Sequence, residues 1–324
     1  MASAGTMMAK RRAFDFGPTV HWFPGHMAKA LKGMRERLAE VQLVAEVRDA
    51  RIPLSSVNQQ FERLIGARDR LIVYNKADLA NSNMQSRVID ALRSRGVYDR
   101  ILFANMQSAA GARGVLRACA DMARGAGGGR NQYGFEADLN LMVIGMPNVG
   151  KSSLINALRH LGTGRGAAAR VGKLPGVTRS VANKIKVLEQ PRLYLIDTPG
   201  VLLPNISDPA IGMRLALTGA VKDSQVGEER LADFLLFYLN QRNIFSYVAH
   251  YRLPDPSDNI DTVLEGIAGY IGAKLSEGEP HKLVAARHFL RAFRDGSLGR
   301  FTLDDLSDAG SIDYSLRDAS DPTR

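Results

Sequence analysis

Gly145-Met146-Pro147-Asn148-Val149-Gly150-Lys151-Ser152 satisfies the spacing G-x-x-x-x-G-K-S and stands between an apolar run at 139–144 and a helical pattern at 151–160. Glycines in such a loop let backbone N–H groups wrap an anion. The lysine ammonium meets the outer phosphate oxygens, and the serine hydroxyl is placed to hold Mg²⁺. A strand before the loop and a helix after it are the context this chemistry requires, and a chance Gly-Lys-Ser turn does not supply them. Asn148, Val149, Gly150, Lys151, Ser152 and Ser153 are therefore assigned to a bound triphosphate, with Lys151 also a catalytic group.

Working outward, Asn75-Lys76-Ala77-Asp78 has the form N-K-x-D and follows a β-rich run at 71–74. The Asp78 carboxylate can accept two hydrogen bonds, from the N1–H and the amino group of guanine, a pattern adenine does not offer. That chemistry selects GTP over ATP. Ser108-Ala109, after a third run at 101–104, would complete the base site, although an ordinary loop explains two residues nearly as well. Asp197-Thr198-Pro199-Gly200 is a D-x-x-G after the run Leu193–Ile196. There Asp197 would hold Mg²⁺ through water, and the Gly200 N–H would sense the γ-phosphate. Thr178 is the expected switch hydroxyl, completing the Mg²⁺ shell and serving catalysis; Thr163 has comparable spacing. Each motif follows a predicted strand, which is where parallel α/β sheets bind ligands.

The motifs nevertheless run in an inverted order, with the base reader ahead of the phosphate loop. In a doubly wound domain the chain ends lie close together, so a flexible bridge can join them and new ends can open elsewhere. Residues 124–130, four glycines and an alanine between two arginines, are the expected bridge. A helical pattern at 27–42, a strand at 41–47 and helices near 56–65, 84–95 and 113–124 complete the alternation of a parallel sheet. From 211 to 293 the pattern turns helical. The expected fold is thus α/β: a circularly permuted P-loop GTPase domain over 21–205, followed by an all-α C-terminal domain over 206–295. Residues 1–20 form a basic N-terminal segment, and 296–324 an acidic, loose tail. The D-x-x-G segment, whose order responds to the γ-phosphate, leads straight into the helical domain.

Composition narrows the class. At 324 residues, 45% hydrophobic and 23% charged, the chain has room for one nucleotide-binding core and a further unit. The single Cys119 excludes an internal disulfide and a Cys-based zinc site. No apolar run approaches the length of a transmembrane segment. Residues 1–205 carry 30 basic and 15 acidic side chains, while 206–324 carry 13 and 18, so the positive charge sits on the nucleotide-binding half. A basic face of that kind suits RNA, and it equally suits a solvated surface. Arg287, Arg291 and Arg294 recur along one helical pattern in the same ambiguous way. Lys10, Arg11 and Arg12, with no acid before Asp15, fit a mitochondrial presequence or a basic tail.

Two further features bear on mechanism. Val201 stands just after the D-x-x-G, where many GTPases place a glutamine that orients the attacking water, so intrinsic hydrolysis is expected to be slow. His21-Trp22-Phe23-Pro24-Gly25-His26-Met27-Ala28-Lys29 and Asp49-Ala50-Arg51-Ile52-Pro53 are the remaining distinctive stretches. His26 can orient a water or be a structural loop residue, and Asp49 with Arg51 fits a buried ion pair.

Together with the permuted order, these two stretches resemble the circularly permuted GTPases of the YlqF/RbgA group over roughly residues 20–295. The resemblance implies a GTP hydrolase that assembles the large ribosomal subunit, touching ribosomal RNA and proteins, with turnover stimulated by the particle. It also implies K⁺ as an activator through Asn148, and His26 as the catalytic histidine. Mitochondrial members exist, so a mitochondrial matrix location is expected, with plastid or bacterial cytoplasm as alternatives, and the chain is expected to be monomeric. The rival readings are a GTP-dependent regulator of mitochondrial translation, bound peripherally to the matrix side of the inner membrane, and a non-hydrolysing nucleotide-binding scaffold.

Overall fold

The computed structural model of the chain describes residues 10–17, 26–66, 68–97, 99–125, 138–162, 184–196, 206 and 208–306. They divide into two compact units. One holds residues from Phe23–Asn205 and Thr302–Arg324, and the other from Met1–Trp22 and Ile206–Phe301. Of the expected bridge at 124–130, Arg124 and Gly125 instead end a helix, while 126–130 and the residues Thr163, Thr178, Asp197, Gly200 and Val201 lie outside the described residues.

The nucleotide-binding unit is built on a six-stranded sheet. Its strands are β1 (Leu43–Asp49), β2 (Asp69–Asn75), β3 (Arg100–Phe103), β4 (Leu139–Gly145), β5 (Lys184–Leu188) and β6 (Leu193–Ile196). In space they run β3-β2-β1-β4-β6-β5, all parallel except β5, which pairs antiparallel with β6. Helix α1 (His26–Leu38) precedes the first strand, and α2 (Gln59–Ile65), α3 (Gln85–Arg93), α4 (Ala109–Gly125) and α5 (Lys151–Gly162) connect those that follow. The strand that precedes the phosphate loop is therefore central, although it comes fourth along the chain. That is the arrangement a permutation preserves: spatial neighbours stay fixed while the chain is cut elsewhere.

β1 is buried along its whole length even though it carries Glu46 and Arg48. Alternation sends both to one face, where β2 contributes Arg70 and α2 contributes Glu62. Arg48 chelates Glu46 at 2.7 and 2.9 Å, and Arg70 reaches Glu46 at 2.9 Å, Glu62 at 2.6 Å and Asp99 at 2.7 Å. Buried charges are tolerated when each meets an opposite one in hydrogen-bonding geometry. Burial alone would raise the Glu46 carboxyl, but Arg48 and Arg70 outweigh it and hold the group below its ordinary range. Nearer the C-terminal ends of the strands the same face turns apolar, with Ile72, Tyr74, Leu54, Val57, Val88 and Leu92 in one cluster that also takes in Leu306.

The second unit is helical: α6 (Pro209–Leu217), α7 (Asp223–Val226), α8 (Glu228–Gln241), α9 (Ser246–Tyr251), α10 (Ile260–Ile271) and α11 (Lys282–Arg294). Asp208 caps α6 through the Ala210 N–H at 2.8 Å, with Pro209 in the first turn. Asn259 caps α10 through the Thr262 N–H at 3.1 Å. Leu231, Leu235, Leu239, Ile267, Phe289 and Phe293 are fully or almost fully buried and form the core of α8, α10 and α11. Of the arginines on α11, Arg294 is committed to this unit. It chelates Asp223 at 2.6 and 2.8 Å and donates to the carbonyls of Ala216 and Leu217 at the end of α6. Arg287 pairs with Glu228 at 3.0 Å. No helix among the described residues is long and apolar enough to cross a membrane.

Residues 10–17 pack into this helical unit. Arg11 forks onto Asp233 at 2.8 and 2.9 Å, and its backbone N–H donates to Asp258 at 2.5 Å. The Phe14 ring is buried, 5.1 Å from Phe234 and 5.7 Å from Phe237. Phe14→Ala is expected to cost the unit about 3 kcal/mol by opening a cavity. The measurement is hydrogen exchange along α8: protection should drop there, and unchanged protection would show that residues 10–17 add nothing to this core.

Candidate active site

The parallel strands deliver the sequence motifs to one edge of the sheet. β4 ends at Gly145 (φ +151°), where a Cβ would lie 2.3 Å from the carbonyl oxygen of Val47 on β1, so only glycine lets the chain turn there. The loop then passes through Asn148 (φ +57°) and Gly150 (φ +101°) before Lys151 opens α5. Gly150 passes so close to Asn75 that a Cβ would meet the Asn75 Nδ2 at 2.0 Å. Lys151 is buried and its Nζ donates across the loop to the Met146 carbonyl at 2.7 Å. Ser152 and Ser153 are exposed in the first turn of α5. Free N–H groups and the helix dipole make that position attractive to an anion.

Asn75, one strand removed, ties three segments together. Its Nδ2 donates to the Val149 carbonyl at 2.8 Å, and its Oδ1 accepts from the Met106 N–H at 3.0 Å. Lys76 sits in the left-handed region at φ +59°, which costs a non-glycine residue on the order of 1 kcal/mol and persists only where neighbours enforce it. Here two acceptors enforce it: the Asn148 carbonyl at 2.7 Å and the Asp49 carboxylate at 3.0 Å. Asp78 is exposed beside them. Ser108 lies at the head of α4, its hydroxyl donating to the Asn105 carbonyl at 2.9 Å and accepting from the Gly111 N–H at 3.0 Å. Asn75, Lys76 and the phosphate loop are thus directly joined, with Ser108 and Ala109 following Met106 in the third segment.

Asp49 is the contributor that the sequence left ambiguous. It does form the buried pair with Arg51, at 2.8 and 3.0 Å, but it also holds Lys76. Burial pushes its carboxyl up, and the Arg51 guanidinium and Lys76 ammonium pull it down further, to about 2. The two cations therefore favour the charged carboxylate despite its burial. The available signal was its position at the end of a strand adjacent to the one that leads into Asn75-Lys76-Ala77-Asp78, which becomes visible only once β1 and β2 are paired in register, Asp49 beside Asn75.

His26 opens α1, and its side chain lies outside the described part of the structure. Of the residues expected to hold Mg²⁺, Thr178 and Asp197 also lie outside it, while Ser152 offers an exposed hydroxyl at the α5 N-terminus. A hydroxyl next to the loop lysine is donor chemistry that suits a hard divalent cation. Gly200, the expected γ-phosphate sensor, lies outside the described residues too.

A G-x-x-x-x-G-K-S loop after the central strand, the asparagine of an N-K-x-D motif bonded to it and the inverted order of the two motifs define a circularly permuted P-loop GTPase. Residues 140–271 match the family model of the 50S ribosome-binding GTPases; Asn75 to Asp78 precede that span, as the permutation requires. Mitochondrial GTPase 1 of Aedes aegypti is 43% identical over 300 residues, 88% of this chain and 94% of that one. Mitochondrial ribosome-associated GTPase 1 of Xenopus tropicalis is 42% identical over 309 residues, covering 91% and 98%. Among solved structures, GNP-bound YlqF from T. maritima shares the fold with a TM-score of 0.56 at 20% identity, over 86% of this chain and 98% of that one. The chain belongs to the mitochondrial ribosome-associated GTPase 1 family, and it is a GTP-hydrolysing enzyme.

Proposed function

We propose that this GTPase works on the mitochondrial ribosome as an assembly factor for the large subunit, with hydrolysis stimulated by the particle. The observation that carries the reading is likeness along almost the whole chain, helical unit included, to relatives named as mitochondrial and ribosome-associated. The basic nucleotide-binding half supplies a surface suited to ribosomal RNA. The packing of residues 10–17 into the helical unit favours Lys10, Arg11 and Arg12 as part of that unit rather than of a removed presequence.

In this reading, Asn148, Val149, Gly150, Lys151, Ser152 and Ser153 surround the phosphates. Asn75, Lys76 and Asp78, with Ser108 and Ala109, hold the guanine. Lys151 leaves the Met146 carbonyl for the β- and γ-oxygens, where its charge offsets what develops during transfer. Mg²⁺, held by Ser152, Thr178 and through water by Asp197, would neutralise the same oxygens. Gly200 senses the γ-phosphate and passes its state into the helical unit. Val201 offers no hydrogen bond to the attacking water, so His26 is assigned that role. K⁺ beside Asn148 is the proposed activator, and the chain acts as a monomer.

Cosedimentation tests the partner. The chain should travel with large-subunit precursors from mitochondria in the presence of a non-hydrolysable GTP analogue and leave them with GDP. Retention on inner-membrane vesicles instead, independent of ribosomal particles, would favour a peripheral translational regulator and sink the assembly reading.

A further inference from the structure

The D-A-R-x-P loop, residues 49–57, lies beside the base-reading motif and is braced from the far end of the chain. After Phe301, which stacks on Phe293 in the helical unit, the chain returns to the nucleotide-binding unit at Thr302. Leu303, fully buried, donates its N–H to the Arg51 carbonyl at 2.7 Å. Asp304 is buried as well, and its carboxylate accepts from the N–H groups of Leu54 at 2.7 Å and Ser55 at 2.8 Å and from the Ser55 hydroxyl. Leu306 packs in the cluster around Tyr74, whose hydroxyl donates to the Pro53 carbonyl at 3.1 Å. A buried carboxylate that gathers backbone N–H groups in this way fixes a loop that has no strand or helix ladder of its own.

The loop begins with Asp49. Its carboxylate is shared between Arg51 on its own loop and Lys76 just after β2, and the Lys76 ammonium goes on to the Asn148 carbonyl of the phosphate loop. The loop is thus held at two places: Leu303 and Asp304 engage Arg51, Leu54 and Ser55, while Asp49 engages Lys76, whose ammonium reaches Asn148 at an exposed position.

We propose that Asp49 is a positioning residue for nucleotide retention: its carboxylate fixes Lys76 between the base reader and the phosphate loop, and residues 302–306 hold the loop that carries it. The proposal rests on Asn75 to Asp78 being the base reader. Without Asp49 the ammonium keeps a neutral acceptor, the Asn148 carbonyl, in place of a charged one. Its flexible four-carbon stem, in an unfavourable backbone conformation, then regains alternatives. Bound nucleotide should leave faster, while arrival, governed by diffusion and docking, changes less.

The test is the release rate of fluorescent GDP from the full chain, in wild type, Asp49→Asn, Lys76→Met and the double variant. Asp49→Asn should speed release by about tenfold, because the partly exposed Lys76 ammonium loses its charged acceptor. Lys76→Met should also speed it, and the double variant should release no faster than Lys76→Met alone, because both act through one contact. A merely structural Asp49 would lower thermal stability and leave release from the folded protein unchanged. That outcome, or effects of the two variants that multiply, would overturn the proposal. Asp304→Asn, which leaves the Asp49 ion pairs in place, is the second variant should Asp49→Asn not fold. It should speed release by a smaller factor, and a wild-type rate would overturn the bracing role. Failure of the wild-type chain to hold GDP at all would instead remove the base-reader assignment.

Discussion

Gly150→Ala is expected to weaken GTP and GDP binding by at least about a hundredfold, which corresponds to roughly 2.7 kcal/mol. Two effects combine at this residue. Its φ of +101° lies where alanine is strained, and the added Cβ would stand 2.0 Å from the Asn75 Nδ2. Asn75 cannot swing aside cheaply, because its amide is engaged at both ends, by the Val149 carbonyl and the Met106 N–H. Either the phosphate loop or the base-reading strand must move, and both are proposed to hold the same ligand. Isothermal titration with GDP reads the effect directly. A variant that kept wild-type affinity would show that the contact between Asn75 and the phosphate loop does not matter for binding.

The second large effect is a change of selectivity rather than a loss. Asp78→Asn should weaken guanine nucleotides by about a thousandfold and bring xanthine nucleotides into the range the wild type shows for guanine. The reason lies in donor and acceptor matching. A carboxylate accepts from both N1–H and the 2-amino group of guanine, whereas a carboxamide donates once and accepts once, which suits the N1–H and 2-oxo edge of xanthine. Because Asp78 is exposed, the fold should tolerate the change, with a melting temperature close to wild type. Competition between GDP and XDP on the two proteins checks it. Equal discrimination in both would mean that the base is read elsewhere.

The sequence motifs were legible because the chemistry dictates their residues one at a time. A lysine, two glycines and a serine at fixed spacing, each motif after a β-rich run, gave the sheet, its edge and the permutation before any contact was known. What stayed hidden depends on partners distant in the chain. Arg11 looked like part of a basic tail, yet it finds Asp233 and Asp258 in the helical unit. Asp304 looked like part of a loose acidic stretch, yet it caps the loop at Ser55. Arg294 resembled a solvent-facing arginine, yet it closes the end of α6. The edge strand β5 was also missed, since five residues with mixed polarity declare themselves only through pairing with β6. Helix α4 starts earlier than its apolar pattern suggested, because the Ser108 hydroxyl caps a first turn that contains mostly alanine and glycine. Local rules therefore located the chemistry, and only tertiary pairing revealed how it is braced.

The central claim is that a slow GTPase is switched on by its particle. The most direct measurement is GTP turnover by the full chain in K⁺ and Mg²⁺, alone and with purified mitochondrial large subunits, with His26→Ala run in parallel. Slow basal turnover, a rise of at least about tenfold on adding large subunits and loss of that rise in His26→Ala are the expected results. A rate that large subunits leave unchanged would contradict a ribosome-stimulated enzyme.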